Sequence, residues 1–64
     1  MSKYYETRNR YIRELYEDLH YKHRHSVNAT IRIISDREHT LNGSVFRLSK
    51  YAVRKILFYK KRQN

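Results

Sequence analysis

The sequence contains no cysteine and only one glycine, Gly43. Without cysteine, disulfides and thiolate metal sites are excluded. A single glycine excludes the glycine-rich loops that cradle phosphates in many nucleotide-binding enzymes. No apolar run approaches the roughly 20 residues that span a bilayer, and residues 1–6 lack the apolar stretch of a signal peptide. We therefore expect neither a membrane-bound chain nor an exported one.

Acidic residues are missing from the whole second part of the chain. None follows Glu38, although the formal net charge is +9. Positive charges concentrated in so small a protein repel one another and attract polyanions. A phosphate backbone would neutralise these charges. This part therefore indicates a surface for nucleic acid. Its basic residues are Arg47, Lys50, Arg54, Lys55, Lys60, Lys61 and Arg62.

The length of 64 residues allows one small domain, which we place over residues 1–64. Fifteen Leu, Ile, Val and Phe residues are enough for a modest core, and seven tyrosines add amphipathic side chains. Such a small core is marginal, so association into a homodimer or ordering on a ligand would add stability.

Residues 3–23 have the periodicity of a long amphipathic helix. Glu6, Arg10, Glu14, Asp18 and Lys22 recur every four residues on the polar face, and Asp18–Lys22 has the favourable acid-first order. The apolar face comprises Tyr4, Tyr5, Tyr11, Ile12, Leu15, Tyr16 and Leu19.

The middle of the chain is rich in β-branched residues. Residues Ala29–Ile34 are predicted to form a strand, Asn42-Gly43 a tight turn, and Ser44–Leu48 a second short strand. The alternative is a helix over residues 29–41 with Gly43 just beyond its end. We favour the strand interpretation.

A second amphipathic helix is predicted from Ser49, which is a good N-cap residue. Ala52, Val53, Ile56, Leu57 and Tyr59 form its apolar arc. The predicted fold is therefore α+β and mainly helical, with a long N-terminal helix, a β-hairpin or irregular middle, and a basic C-terminal helix. The opposite, basic arc comprises Lys50, Tyr51, Arg54, Lys55, Phe58, Lys61 and Arg62.

The segment Leu48–Leu57 resembles the recognition-helix half of helix-turn-helix proteins, in which an apolar residue and Ser open the helix. Gly43 and Phe46 stand where that motif has a small and an apolar residue in the preceding helix, whereas Arg47 replaces the turn glycine. The resemblance implies an alternative all-α, three-helix fold. It would place Lys50, Tyr51, Arg54 and Lys55 toward a DNA groove.

These patterns predict a small basic DNA-binding protein, a transcriptional regulator or a nucleoid-type factor, located in the cytoplasm or nucleoid. The alternatives are an RNA- or ribosome-associated protein and an inhibitor or adaptor that docks on an acidic protein. The expected partner is nucleic acid, with DNA favoured over RNA. The candidate contact residues are Arg47, Lys50, Tyr51, Arg54, Lys55, Phe58, Lys61 and Arg62.

Neither catalysis nor a metal cofactor is expected. His20, His23 and His25 are close in sequence, but no carboxylate converges with them and there is no cysteine to complete a zinc site. Asp36 and Glu38 are two residues apart in a predicted loop, where their side chains alternate in direction. We therefore assign no catalytic residue and expect no enzyme.

Overall fold

The structure is a computed structural model that describes residues 3–58. It is mainly helical with one small antiparallel sheet, and it confirms the predicted fold class. A π-helical segment, Asp18–Lys22, continues the first helix without interruption. The remaining elements are α1 (Lys3–Glu17), α2 (Val27–Asp36), β1 (His39–Leu41), β2 (Ser44–Phe46) and α3 (Lys50–Phe58).

The long N-terminal helix follows the predicted periodicity. Ile12 and Leu19 are buried, and Lys22 Nζ lies 3.8 Å from an Asp18 carboxylate oxygen, as the acid-first spacing predicts. Tyr5 departs from the predicted apolar face because its ring is 51% exposed. The Arg8 guanidinium covers that ring at 5.0 Å from its centroid.

The π-helical segment closes the first helix with wide hydrogen-bonded turns. The N–H of His23 donates to the Asp18 carbonyl, and the N–H of His25 donates to the Leu19 carbonyl at 3.1 Å. His20 Nδ1 lies 2.8 Å from the His25 carbonyl, which can only accept, so Nδ1 carries the proton. Arg24 has a left-handed φ of 59° and reverses the chain toward α2.

The predicted strand over Ala29–Ile34 is wrong, because these residues lie within α2. The Ser26 hydroxyl caps this helix by accepting the N–H of Ala29 at 3.1 Å. Ile31 and Ile34 are three residues apart and both are buried on its inner face. Burial of that face outweighs the β preference of the branched side chains, which is only a weak local bias. The alternative prediction, a helix over residues 29–41, was closer to the structure, although α2 ends at Asp36 rather than at residue 41.

The predicted turn at Asn42-Gly43 is confirmed, with φ of 53° and 82°. Two positive φ values make a two-residue hairpin turn whose twist matches that of the strands. The turn pairs Leu41 with Ser44 and His39 with Phe46. The first strand of the hairpin is therefore β1, which begins directly after Glu38, and not the isoleucine-rich segment Ala29–Ile34.

The helix-turn-helix alternative is also wrong. Gly43 lies in the hairpin turn and Phe46 lies in β2, where that motif requires a preceding helix. The presence of the two strands likewise contradicts the all-α, three-helix fold. Only the second half of the resemblance, a helix that begins after Ser49, has a counterpart in the structure.

The apolar core lies where the three helices meet. Ile12 and Leu19 come from the first helix, Ile31 and Ile34 from α2, and Val53 from α3. Each helix buries one stripe against the other two, which fixes the rotation of α3 and hence the side chains that it turns outward. Within residues 3–58 no helix has both the length and the apolarity to cross a membrane.

His39 connects the hairpin to this core and is only 2% exposed. Its Nε2 lies 2.9 Å from the Ile34 carbonyl, and its Nδ1 lies 3.0 Å from the Tyr11 hydroxyl. Both contacts are satisfied if Nε2–H donates to the carbonyl while Nδ1 accepts the hydroxyl proton. The ring also stacks on Phe46 at a centroid distance of 5.3 Å. One side chain therefore joins β1 to α1, α2 and β2.

Candidate nucleic-acid interface

The start and rotation of α3 are set by a cap and a buried stripe. The Ser49 hydroxyl accepts the N–H of Ala52 at 3.1 Å, which confirms the predicted N-cap. Val53 is fully buried, and Ile56 and Leu57 pack against the same core. The opposite side of the helix must therefore face solvent.

The solvent face of α3 carries five of the predicted contact residues. Tyr51 is 70% exposed and Phe58 is 51% exposed, so both rings lie on the surface as the helical periodicity predicts. Lys55 Nζ lies 5.6 Å from the centroid of the Tyr51 ring, a cation–π distance. We call this surface the basic face; its residues are Lys50, Tyr51, Arg54, Lys55 and Phe58.

The other predicted contact residues lie outside α3. Arg47 is exposed in the connection between β2 and α3, three residues before Lys50. Lys61 and Arg62 lie outside the described residues. The structure thus brings together the predicted residues of one helix face and places Arg47 in the segment that leads into it.

The charges of the basic face are not neutralised by carboxylates within residues 3–58. The carboxylate contacts formed there join Asp18 to Lys22 Nζ at 3.8 Å and to the His23 ring at 3.5 Å, and neither includes a residue of α3. Because no acidic residue follows Glu38, α3 has no carboxylate of its own. Lys50, Arg54 and Lys55 therefore present an uncompensated positive potential to solvent.

A cleft adjoins the basic face at the end of α3. The Tyr16 ring meets the Phe58 ring edge to face, with centroids 5.9 Å apart and planes at 89°. Partial burial raises the pKa of the Tyr16 phenol above its usual value, and the nearby Tyr21 phenol adds to this rise. The cleft measures about 150 Å³ and is lined by Arg13, Tyr16, Glu17, Tyr21, Leu57 and Phe58.

Sequence reasoning missed the polar and aromatic residues that α1 and its π-helical extension bring to this cleft. Neither Arg13 nor Glu17 was predicted to have a role, and Tyr21 was predicted only to lie near the end of the first helix. The sequence gives no local signal for their proximity to Phe58, because that contact depends on how two helices more than 30 residues apart pack together.

The histidines near the end of the first helix have structural partners. His20 donates to the His25 carbonyl and stacks on Tyr16 with centroids 5.2 Å apart. The His23 ring lies 3.5 Å from an Asp18 carboxylate oxygen. In the part of the chain that the structure describes, no three His, Cys, Asp or Glu side chains are grouped so as to hold a metal ion.

Comparisons with models of protein families, with curated proteins and with solved structures give no match to this chain.

Proposed function

We propose that this chain is a small DNA-binding protein that contacts its target through the basic face of α3. The observation that supports this most strongly is the exposure, on one helix face, of two aromatic rings and three cations that pair with no carboxylate of residues 3–58. Exposed aromatic rings are not required on a helix face that contacts only water. A nucleic-acid surface uses both kinds of side chain, since cations neutralise phosphates and rings contact bases or sugars.

Each residue of the basic face has a definite role in this proposal. Lys50 and Lys55 neutralise backbone phosphates and set affinity. Arg54 has a planar, forked guanidinium that also donates to the guanine edge in a groove. Arg47 adds a phosphate contact at the start of the helix. Tyr51 lies beside Lys55 and packs on sugars or thymine methyl groups.

DNA is the expected polymer because the major groove of B-form DNA admits an α-helix, whereas that of A-form RNA is too narrow. A protein of this kind would work as a transcriptional regulator or a nucleoid-type factor, in the cytoplasm or on the nucleoid. A second candidate, an RNA-binding role, is favoured by one observation. Tyr51 and Phe58 are exposed enough to stack on unpaired bases.

A binding titration against duplex DNA, single-stranded DNA and a structured RNA, each at several salt concentrations, tests the proposal. Contact with about five phosphates predicts that log K falls with log salt at a slope of about −4.5. We expect DNA to bind more tightly than the RNA. Tightest binding to the RNA would support the second candidate. A slope near zero, or binding only to an acidic protein, would contradict a nucleic-acid role.

A further inference from the structure

The cleft between α1 and α3 is continuous with the basic face, because Phe58 belongs to both. On one side Phe58 lines a shallow groove with Tyr51, Arg54 and Lys55. On the other side it forms a right-angled corner with Tyr16. A strand whose phosphates follow the groove therefore passes the mouth of the cleft. One base of that strand can leave the stack and enter the cleft with its face against an aromatic ring.

The polar groups at the rim of this cleft have opposite charges. Arg13 and Glu17 are one helical turn apart on α1, and both are exposed. Neither forms an ion pair with any other residue in the range 3–58. A carboxylate next to a phosphate backbone is repelled by it, so Glu17 is compatible with a bound strand only where it meets hydrogen-bond donors. Base edges supply such donors.

Guanine is the base whose Watson–Crick edge has donors and an acceptor that match the Glu17 carboxylate and the Arg13 guanidinium. Its N1–H and N2–H are adjacent donors that a carboxylate accepts together, and its neighbouring O6 accepts from a guanidinium. Adenine and cytosine each place a ring-nitrogen acceptor beside their amino donor. Thymine flanks its one N–H with two carbonyls. Each of these three bases would set at least one acceptor against the carboxylate of Glu17.

We infer that this cleft binds an unpaired guanine of a strand held on α3. Phe58, Tyr16 and Tyr21 contact the faces of the base, Glu17 accepts its N1–H and N2–H, and Arg13 donates to its O6. In a duplex the same edge is occupied by cytosine, so the site selects single strands, overhangs or bulges. The inference rests on the proposed function, because α3 must first attract the phosphate backbone.

The test compares labelled single-stranded DNA oligonucleotides of thymine that carry one central guanine, inosine or adenine, with affinity measured by fluorescence anisotropy. A good two-bond contact to a base distinguishes it from others by roughly 5- to 100-fold. We therefore expect the guanine strand to bind that much more tightly than the adenine strand. Inosine lacks the 2-amino group and should bind at an intermediate level.

The decisive variant is Glu17→Gln, and its matched control is Glu14→Gln, which makes the same charge change on the same helix outside the cleft. Glu17→Gln should abolish the guanine preference while the thymine strand binds at least as well as before. Glu14→Gln should keep the preference. If all oligonucleotides bind alike, or if Glu17→Gln keeps the preference, the guanine site is wrong and DNA binding stands. If no single-stranded oligonucleotide binds while duplex DNA does, the guanine site is wrong and the proposed function stands; if duplex DNA does not bind either, both fail.

Discussion

Replacing Lys50, Arg54 and Lys55 together by glutamine is expected to weaken DNA binding by roughly 500-fold at about 0.1 M salt. Each lost phosphate contact removes about 0.9 from the slope of log K against log salt, so the slope should change from about −4.5 to about −1.8. The three side chains are exposed and make no ion pair within the described chain. Circular dichroism should therefore show an unchanged fold.

The control for this experiment is a triple variant with the same change in net charge elsewhere on the surface. Arg10, Arg32 and Arg37 are exposed on α1, on α2 and just after α2. Their replacement by glutamine should reduce affinity by no more than about tenfold, through the long-range field alone. If both triple variants weaken binding equally, net charge rather than the basic face explains the attraction.

His39→Ala is expected to lower the free energy of unfolding by about 3 kcal/mol. The substitution leaves a cavity beside Phe46, removes the hydrogen bond to the Ile34 carbonyl and leaves the Tyr11 hydroxyl without its partner. A domain of this size has only about 5 kcal/mol of stability to lose. Urea denaturation followed by circular dichroism should show most of that stability gone.

Thr40→Val is the matched control, because Thr40 is the exposed neighbour of His39 in the same strand. It keeps a β-branched side chain and should change stability by less than about 0.5 kcal/mol. If His39→Ala is as mild as Thr40→Val, the hairpin is not held to the helices through His39. The packing described for β1 would then be incorrect.

Local chemistry made several elements predictable. The spacing of Ile12 and Leu19 predicted the long helix, and Asn42-Gly43 predicted the hairpin turn. The capping residue Ser49 predicted the start of α3. These signals depend on residues within a few positions of one another. The outward position of Tyr51 followed from the same helical periodicity.

Other features depend on long-range packing, and these were missed or wrong. Ala29–Ile34 has β-branched side chains that suit a strand, yet its isoleucines fill the core only when the segment is helical. Nothing in the sequence near His39 indicates that its two nitrogens meet α1 and α2. Likewise, the approach of Glu17 to Phe58 is decided by how the first helix packs on α3.

The most direct test of the account is a nuclear magnetic resonance titration of the ¹⁵N-labelled chain with a short DNA oligonucleotide. Binding through the basic face predicts the largest chemical-shift changes at Tyr51, Arg54 and Lys55, with Arg32 on α2 unchanged. Largest changes at Arg32, or no changes at saturating DNA and low salt, would contradict the claim that α3 is the contact surface.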